Sequence, residues 1–482
     1  MGAANGNGII AVATSIPPAM ARQDAGREVR DYQAHCVQSW AGNGFHVISV
    51  NHVDDIPALA ARYPQIRFVP ASRDAREWTG RKTPYIADLL LALQEANEPV
   101  IGILNSDLLF EPSTAWRENL PSMVAESLVM AHRYNTNSLA NGALRRFQGF
   151  DCFFFDKAMA LCALEDALPF AIGAPWWDYW FPCMALLSGR KVTIVDRPVT
   201  LHLFHKTAYS GQLQGEFGHH FANCMIRECQ KRQSVQSDIF TALKPLLLEI
   251  ADLPLGSEAL KSSCMAFRAL FGTEIRKNIV RWEARSGSDT STNIRPQDWN
   301  GAFDRVEQRL AAGEAYLEIK ALLAKKQAAA VGAELIAALN QAPDDQDVVL
   351  IQGETSLARK DFDDATAFFA RAAELRPATP YPLYRQGISL WANGRGAQAL
   401  SLFQRAMEAD PTHQPSCIAA ARILSESKGP RCAIRFLDKV IARHPHLQQV
   451  AECRKAYRQA RSSMGNKVRR MLTKIKSRFI SR

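Results

Sequence analysis

What the 482-residue chain lacks narrows its class before any motif is read. None of its ten cysteines forms a C-x-x-C pair, so the scattered thiols read as reduced groups serving mostly as small core residues. No apolar run approaches the ~20 residues that a membrane span needs. The opening "MGAANGNGIIAV" has no basic stretch followed by a long apolar one, which predicts a cytoplasmic protein without a secretory signal. Gly6 stands where Ser or Thr would favour myristoylation at Gly2. No G-x-G-x-x-G follows the first predicted strand and no Walker A sequence occurs, which takes the main support from dinucleotide and P-loop readings.

Acidic residues are missing from one place only. Arg454 to Arg482 hold eleven Lys or Arg and no Asp or Glu; the net charge is +10, so 10 − 11 leaves about −1 for everything before. A uniformly basic nucleic-acid binder is not indicated, and no nucleic-acid partner is expected. With 47% hydrophobic and 22% charged residues, the chain has the composition of a soluble globular protein, and its length predicts two or three domains.

What is present begins with a period. Pro343, Pro377, Pro411 and Pro445 stand 34 residues apart, as do Gly353, Gly387 and Ala421. Ala365, Ala399 and Ala433 keep the step, with Phe369, Phe403 and Leu437, and Ala372, Ala406 and Val440. Small residues let paired helices approach, and a Pro closes the second helix because it cannot continue one. This pattern resembles the tetratricopeptide repeat, which implies an all-α solenoid over 299–453 and a protein partner in its groove. A degenerate further repeat is expected to end at Pro343.

Upstream, "ARSGSDTSTNIRPQD" at 284–298 reads as a linker, and 211–283 as a helical extension bridging the two halves. In residues 1–210, "GIIAVATSI", "FHVISVN", "QIRFVP" and the strand from Val100 alternate with helices at "REVRDYQAHCVQSW" and "KTPYIADLLLALQEAN". That alternation predicts an α/β domain with a mostly parallel, Rossmann-like sheet.

Polar residues recur at the strand ends: Thr14 and Ser15, then Asn51, then Asn105, Ser106 and Asp107 in "VIGILNSDLLFEP". A carboxylate at the lip of a buried strand either closes a turn or serves a ligand at the sheet edge. "TGRKTPYIAD" places Arg81 and Lys82 at a helix start, which favours anions, with Asp88 further on. "GFDCFFF" sends Asp151 into an aromatic strand. "GAPWWDYWFP" surrounds Asp178 with Trp176, Trp177, Tyr179 and Trp180, a setting in which burial raises a carboxyl pKa toward that of a general base. "VTLHLFHKTAYS" supplies His202, His205 and Lys206 after a further strand; imidazole is a common metal ligand. The run from His219 to Cys229 has no common four-ligand zinc spacing and reads as helix packing.

Taken in order, T-S-I-P-P, N-S-D, G-x-D-x-F-x-F and W-W-D-x-W over Ile9 to Ser210 resemble bacterial glycosyltransferases of the GT-A fold. The resemblance implies a nucleotide-sugar donor, a glycan or lipid-linked acceptor and a divalent metal, Mn2+ or Mg2+. Asp107 and His205 would be the metal ligands and Asp178 the catalytic base. Thr14, Ser15, Asn51, Arg81, Lys82, Asp88, Asn105, Ser106 and Lys206 would hold the donor. Asp151, Trp176, Trp177 and Trp180 would face the acceptor. Asn105 departs from the family's D-x-D, whose first Asp it replaces, so a second reading is a repeat scaffold carrying a degenerate transferase domain. A nucleotidyltransferase shares the sheet but would carry a Gly-rich basic loop after the first strand, and "TSIPPAMARQ" is not one.

The tail, 454–482, sets Val468, Met471, Leu472, Ile475 and Phe479 on one face of a basic helix. It predicts either a cap on the repeats or peripheral contact with an anionic membrane at its inner face, and the uncompensated charge favours the membrane.

Overall fold

The computed structural model describes residues 10–18, 22–24, 27–29, 32–112, 115–164, 167, 169–205, 210–232, 238–282 and 300–462. The linker 284–298, Lys206 and the end of the basic tail lie outside them. The chain forms two compact units: one of 1–22, 29–135 and 146–304, the other of 23–28, 136–145 and 305–482.

The first unit is α/β. Its strands are β1 (Ile10–Thr14), β2 (Phe45–Asn51), β3 (Arg67–Pro70), β4 (Val100–Leu104), β5 (Leu109–Phe110), β6 (Ser127–Thr136), β7 (Arg145–Phe155), β8 (Lys191–Leu203) and β9 (Ile279–Trp282). They lie side by side as β9-β8-β6-β7-β4-β1-β2-β3, with β5 against β8. β1 is buried at all five positions, which suits a central strand covered on both faces and accounts for its unbroken apolar sequence. β3, β2, β1 and β4 are parallel. At β7 the direction reverses: it runs antiparallel to β4, pairing Ile101 with Phe155 and Leu104 with Cys152. The sheet is therefore mixed, and the mostly parallel expectation describes only its first half.

Six helices of this unit matter for the site: α1 (Tyr32–Gly42), α2 (Ile86–Gln94), α3 (Trp177–Leu187), α4 (Gly211–Lys231), α5 (Asp238–Asp252) and α6 (Glu258–Asn278). α1 is shorter than its sequence suggested, because Arg27–Val29 is a strand paired with Arg22–Asp24. Leu213, Phe217 and Phe221 of α4, Leu243 of α5, and Phe267 and Phe271 of α6 share one core with α2, Phe153 and Phe155. These helices are thus part of the first unit's core rather than a separate extension.

The second unit is helical. After α7 (Val306–Ala324) and the seven-residue α8 (Ala333–Leu339) come α9 (Gln346–Arg359), α10 (Phe362–Leu375), α11 (Pro380–Ala392), α12 (Gly396–Ala409), α13 (Gln414–Lys428), α14 (Pro430–Arg443) and α15 (Gln448–Ser462). The 34-residue period is a packing period. A Cβ on Gly353 would stand 2.7 Å from the Phe369 ring, and one on Gly387 2.5 Å from the Phe403 ring. In the next repeat Leu437 replaces the ring, and Ala421 takes the glycine position in the same buried cluster. α15 runs past the expected boundary at residue 453: Arg454 and Arg458 pair with Asp438, and Tyr457 is buried. The tail's first charges therefore belong to the last repeat helix. Among the described residues no helix is long and apolar enough to cross a membrane.

Residues 136–145, from the last residue of β6 to the first of β7, complete this helical unit. The fully buried Arg309 of α7 donates to the carbonyls of Gly142 at 2.7 Å and Ser138 at 3.1 Å. Asp345, also fully buried, accepts from Asn137, from the Ala143 amide and from Arg145, and caps α9 through the amides of Asp347 and Val348. Each buried charge is met by several hydrogen bonds, the condition under which such groups are tolerated.

Candidate functional site

Parallel register decides where the polar residues go. β1 pairs Thr14 with Ser49 of β2 and Ala13 with Ile103 of β4, so the three strands end at one edge. The segments that follow enter a cleft of about 670 Å³ within the first unit. Ser15, Asn51, Asn105, Ser106 and Asp107 line it, as do Arg81 and Lys82. Open α/β sheets generally bind ligands at such an edge.

The N-S-D segment is both a turn and part of the cleft wall. Its backbone is tied to α1, where Gln33 donates to the Ser106 carbonyl at 2.7 Å and Tyr32 to that of Asp107 at 3.0 Å. The Asn105 amide donates to the carbonyl of Asp151, joining the turn to β7. With the backbone so held, Oδ2 of Asp107 lies 3.2 Å from Nε2 of His202 and 3.2 Å from Nε2 of His205. The donor atoms of all three residues lie within 4.8 Å of one another. His202 sits near the end of β8, buried, and burial pushes its pKa down, which favours the neutral imidazole that ligates metals. One carboxylate and two imidazoles suit a divalent transition ion such as Mn2+ better than Mg2+, which prefers oxygen donors. His202 is the addition here. The pair of histidines three apart marked it, but only the fold brings it across 95 residues to Asp107.

A second group also lines the cleft. Asp178 lies in the first turn of α3, and its carboxyl pKa is pushed up to about 7, first by burial and then by the nearby Asp151. Arg268 and Arg133 oppose the shift. Arg133 pairs with Asp151 and lies over the Phe147 ring, while Arg268 donates to the Tyr179 hydroxyl at 3.0 Å. Gly149 is required here by close approach, since a Cβ would stand 2.6 Å from Oδ2 of Asp178. The residue before α3, Trp176, is left-handed at φ 79°, a conformation costly for a bulky side chain. Its indole donates to the Gln214 carbonyl at 2.8 Å and stacks on Phe221, contacts that hold it there.

Several expected site residues are elsewhere. Thr14 is fully buried and does not line the cleft, because neighbouring strand residues face opposite ways and Ser15 takes the open side. Asp88 is buried and accepts from the Ser72 hydroxyl at 2.6 Å; it does not line the cleft. Trp180 is fully buried against Phe170, three residues along α3 from Trp177, so it is core rather than acceptor platform. Trp176 and Trp177 touch the cleft but are 2% exposed each, and act chiefly as its packed wall. Asn51 lines the cleft, yet its side chain is engaged by the Ser49 hydroxyl and the Ile16 carbonyl. Arg81 and Lys82 do not sit at a helix start, since α2 begins at Ile86; Lys82 pairs with Asp54 at 2.9 Å. Arg133, Arg268 and Phe147 also line the cleft, and no sequence motif marked them; the exposed Phe204 lines it too, between the two histidines.

In sequence, residues 390–458 match the tetratricopeptide repeat family. No curated protein matches the chain. Among solved structures, MamA MSR-1 C2 resembles it at 20% identity, covering 32% of this chain and 79% of its own, with a TM-score of 0.24. The inositol-1-phosphate CTP transferase from T. maritima resembles it at 11% identity over 46% of this chain and 97% of its own, with a TM-score of 0.26. Scores this low leave the first unit without an assigned family. The repeats of the second unit are tetratricopeptide repeats, a module for protein interaction.

Proposed function

We propose that the first unit is a GT-A-like glycosyltransferase, moving a sugar from a nucleotide-sugar donor to a glycan or lipid-linked hydroxyl, while the repeats hold a protein partner. The observation that carries this reading is one cleft with two devices: the Asp107, His202 and His205 cluster, and Asp178 with a pKa of about 7. Asp178 accepts the proton of the acceptor hydroxyl as the new C–O bond forms and the bond from the sugar carbon to the donor phosphate breaks. Arg81 and Lys82 attract the diphosphate, and Ser15 and the 105–107 turn position it. A divalent ion held by the cluster would neutralise charge on the leaving diphosphate. Thermal shifts with uridine, guanosine and thymidine diphosphates plus Mn2+ test the proposal: stabilisation is expected with at least one pair and lost in Asp107→Ala. No stabilisation by any of them would overturn it.

A scaffold with a degenerate transferase domain is the second reading. It is favoured by Asn105 in place of an acid and by the internal engagement of Asn51. Such a protein would bind a repeat partner and no nucleotide. We also propose that the basic segment beyond α15 contacts anionic membranes. Deleting 464–482 should then abolish salt-sensitive binding to phosphatidylserine vesicles and leave the repeats folded.

A further inference from the structure

We infer that Asn135 is a positioning residue that fixes the imidazole of His202 with Nε2 open toward a cation. The inference rests on the cation reading of the Asp107 cluster. Asn135 lies near the end of β6, beside β8 in the sheet, and both side chains are buried. Its amide oxygen is 2.9 Å from Nδ1 of His202. An amide oxygen only accepts, so Nδ1 carries the proton and donates it to Asn135. A neutral imidazole has one N–H, and Nε2 therefore presents a lone pair to the Asp107 oxygen 3.2 Å away. A metal ion shared between these two acceptors would be held by both. Without the Asn135 acceptor the proton would move to Nε2 and close a simple His202–Asp107 hydrogen bond, masking both ligands. Partners that orient ligating histidines in this way are typically worth 10–100-fold in metal affinity.

The test uses the full chain with 15N-histidine, metal-free, and assigns His202 by its loss in His202→Gln. Wild type and Asn135→Asp, which keeps the acceptor, should show the Nδ1–H tautomer; Asn135→Leu should switch to Nε2–H. Manganese binding, followed by electron paramagnetic resonance of the free ion, should weaken 10–100-fold in Asn135→Leu and be retained in Asn135→Asp. An Nε2–H tautomer in the wild type overturns the inference by itself, whether or not the leucine variant folds. Unchanged affinity in a folded Asn135→Leu does the same. A wild type with the Nδ1–H tautomer but no manganese binding would instead refute the cation reading and leave the role of Asn135 standing.

Discussion

Asp178 and Asp107 are both carboxylates of one cleft, yet their neighbours differ. Around Asp178, burial and Asp151 favour the protonated form, and the two arginines only partly offset this. The ionised form should therefore appear through about pH 7 and, on the proposed transferase reading, activity should rise with a midpoint near there. Asp178→Asn should lower turnover by ~10²-fold or more with donor affinity nearly unchanged. The same group predicts a stability effect of definite sign. Its folded pKa lies above the unfolded value, so its contribution is fully present below about pH 4 and is lost as pH rises through about 7. Asp178→Asn should thus raise the melting temperature at pH 8 more than at pH 4; equal shifts at both would contradict the assigned pKa. How much of this was legible follows from geometry. Asp107 and Asp178 could be read because each stands out against apolar neighbours. Thr14, Asp88 and Trp180 misled because residue type does not say which way a side chain faces once its element is packed. Arg133 and Arg268 carry no local signature, and only their arrival in the cleft gives them a role.

At the scale of elements, the repeats were legible because their period is short-range: each small residue meets an aromatic or leucine on the next helix. Gly387→Ala makes this testable. In an isolated helix the change would stabilise by about 1 kcal/mol. Here the added Cβ meets the Phe403 ring at 2.5 Å, and overpacking costs about 1–3 kcal/mol. A lower melting temperature is expected; a higher one would show that the ring moves freely aside. Gly149→Ala is the counterpart in the α/β unit. Its Cβ would displace the Asp178 carboxyl, so on the proposed transferase reading turnover should fall about tenfold or more while circular dichroism stays unchanged, and a normal rate would speak against Asp178 as the base. The reversal of the sheet at β7 was not legible, because a strand's direction depends on its distant partners and not on its own residues.

At the scale of the molecule, the helical unit is discontinuous in sequence. Arg309 hydrogen-bonds to Gly142, 167 residues earlier in the chain, and Asp345 to Asn137. Asp345→Ala would leave Arg145 short of a partner and α9 without its cap, at a cost of about 3 kcal/mol or more. A fragment spanning 299–482 should for the same reason melt lower and less cooperatively than the repeats in the full chain; identical melting would show residues 136–145 to be dispensable. The arrangement also orders events during synthesis. At ~5–20 residues per second, the 136–145 segment leaves the ribosome roughly 10–30 s before the helix that receives it. Through that interval the nascent chain carries an unclaimed arm, so the first half of the protein cannot reach its final state until the second has been made. A stalled or truncated product therefore offers quality-control machinery an exposed segment that the finished protein hides.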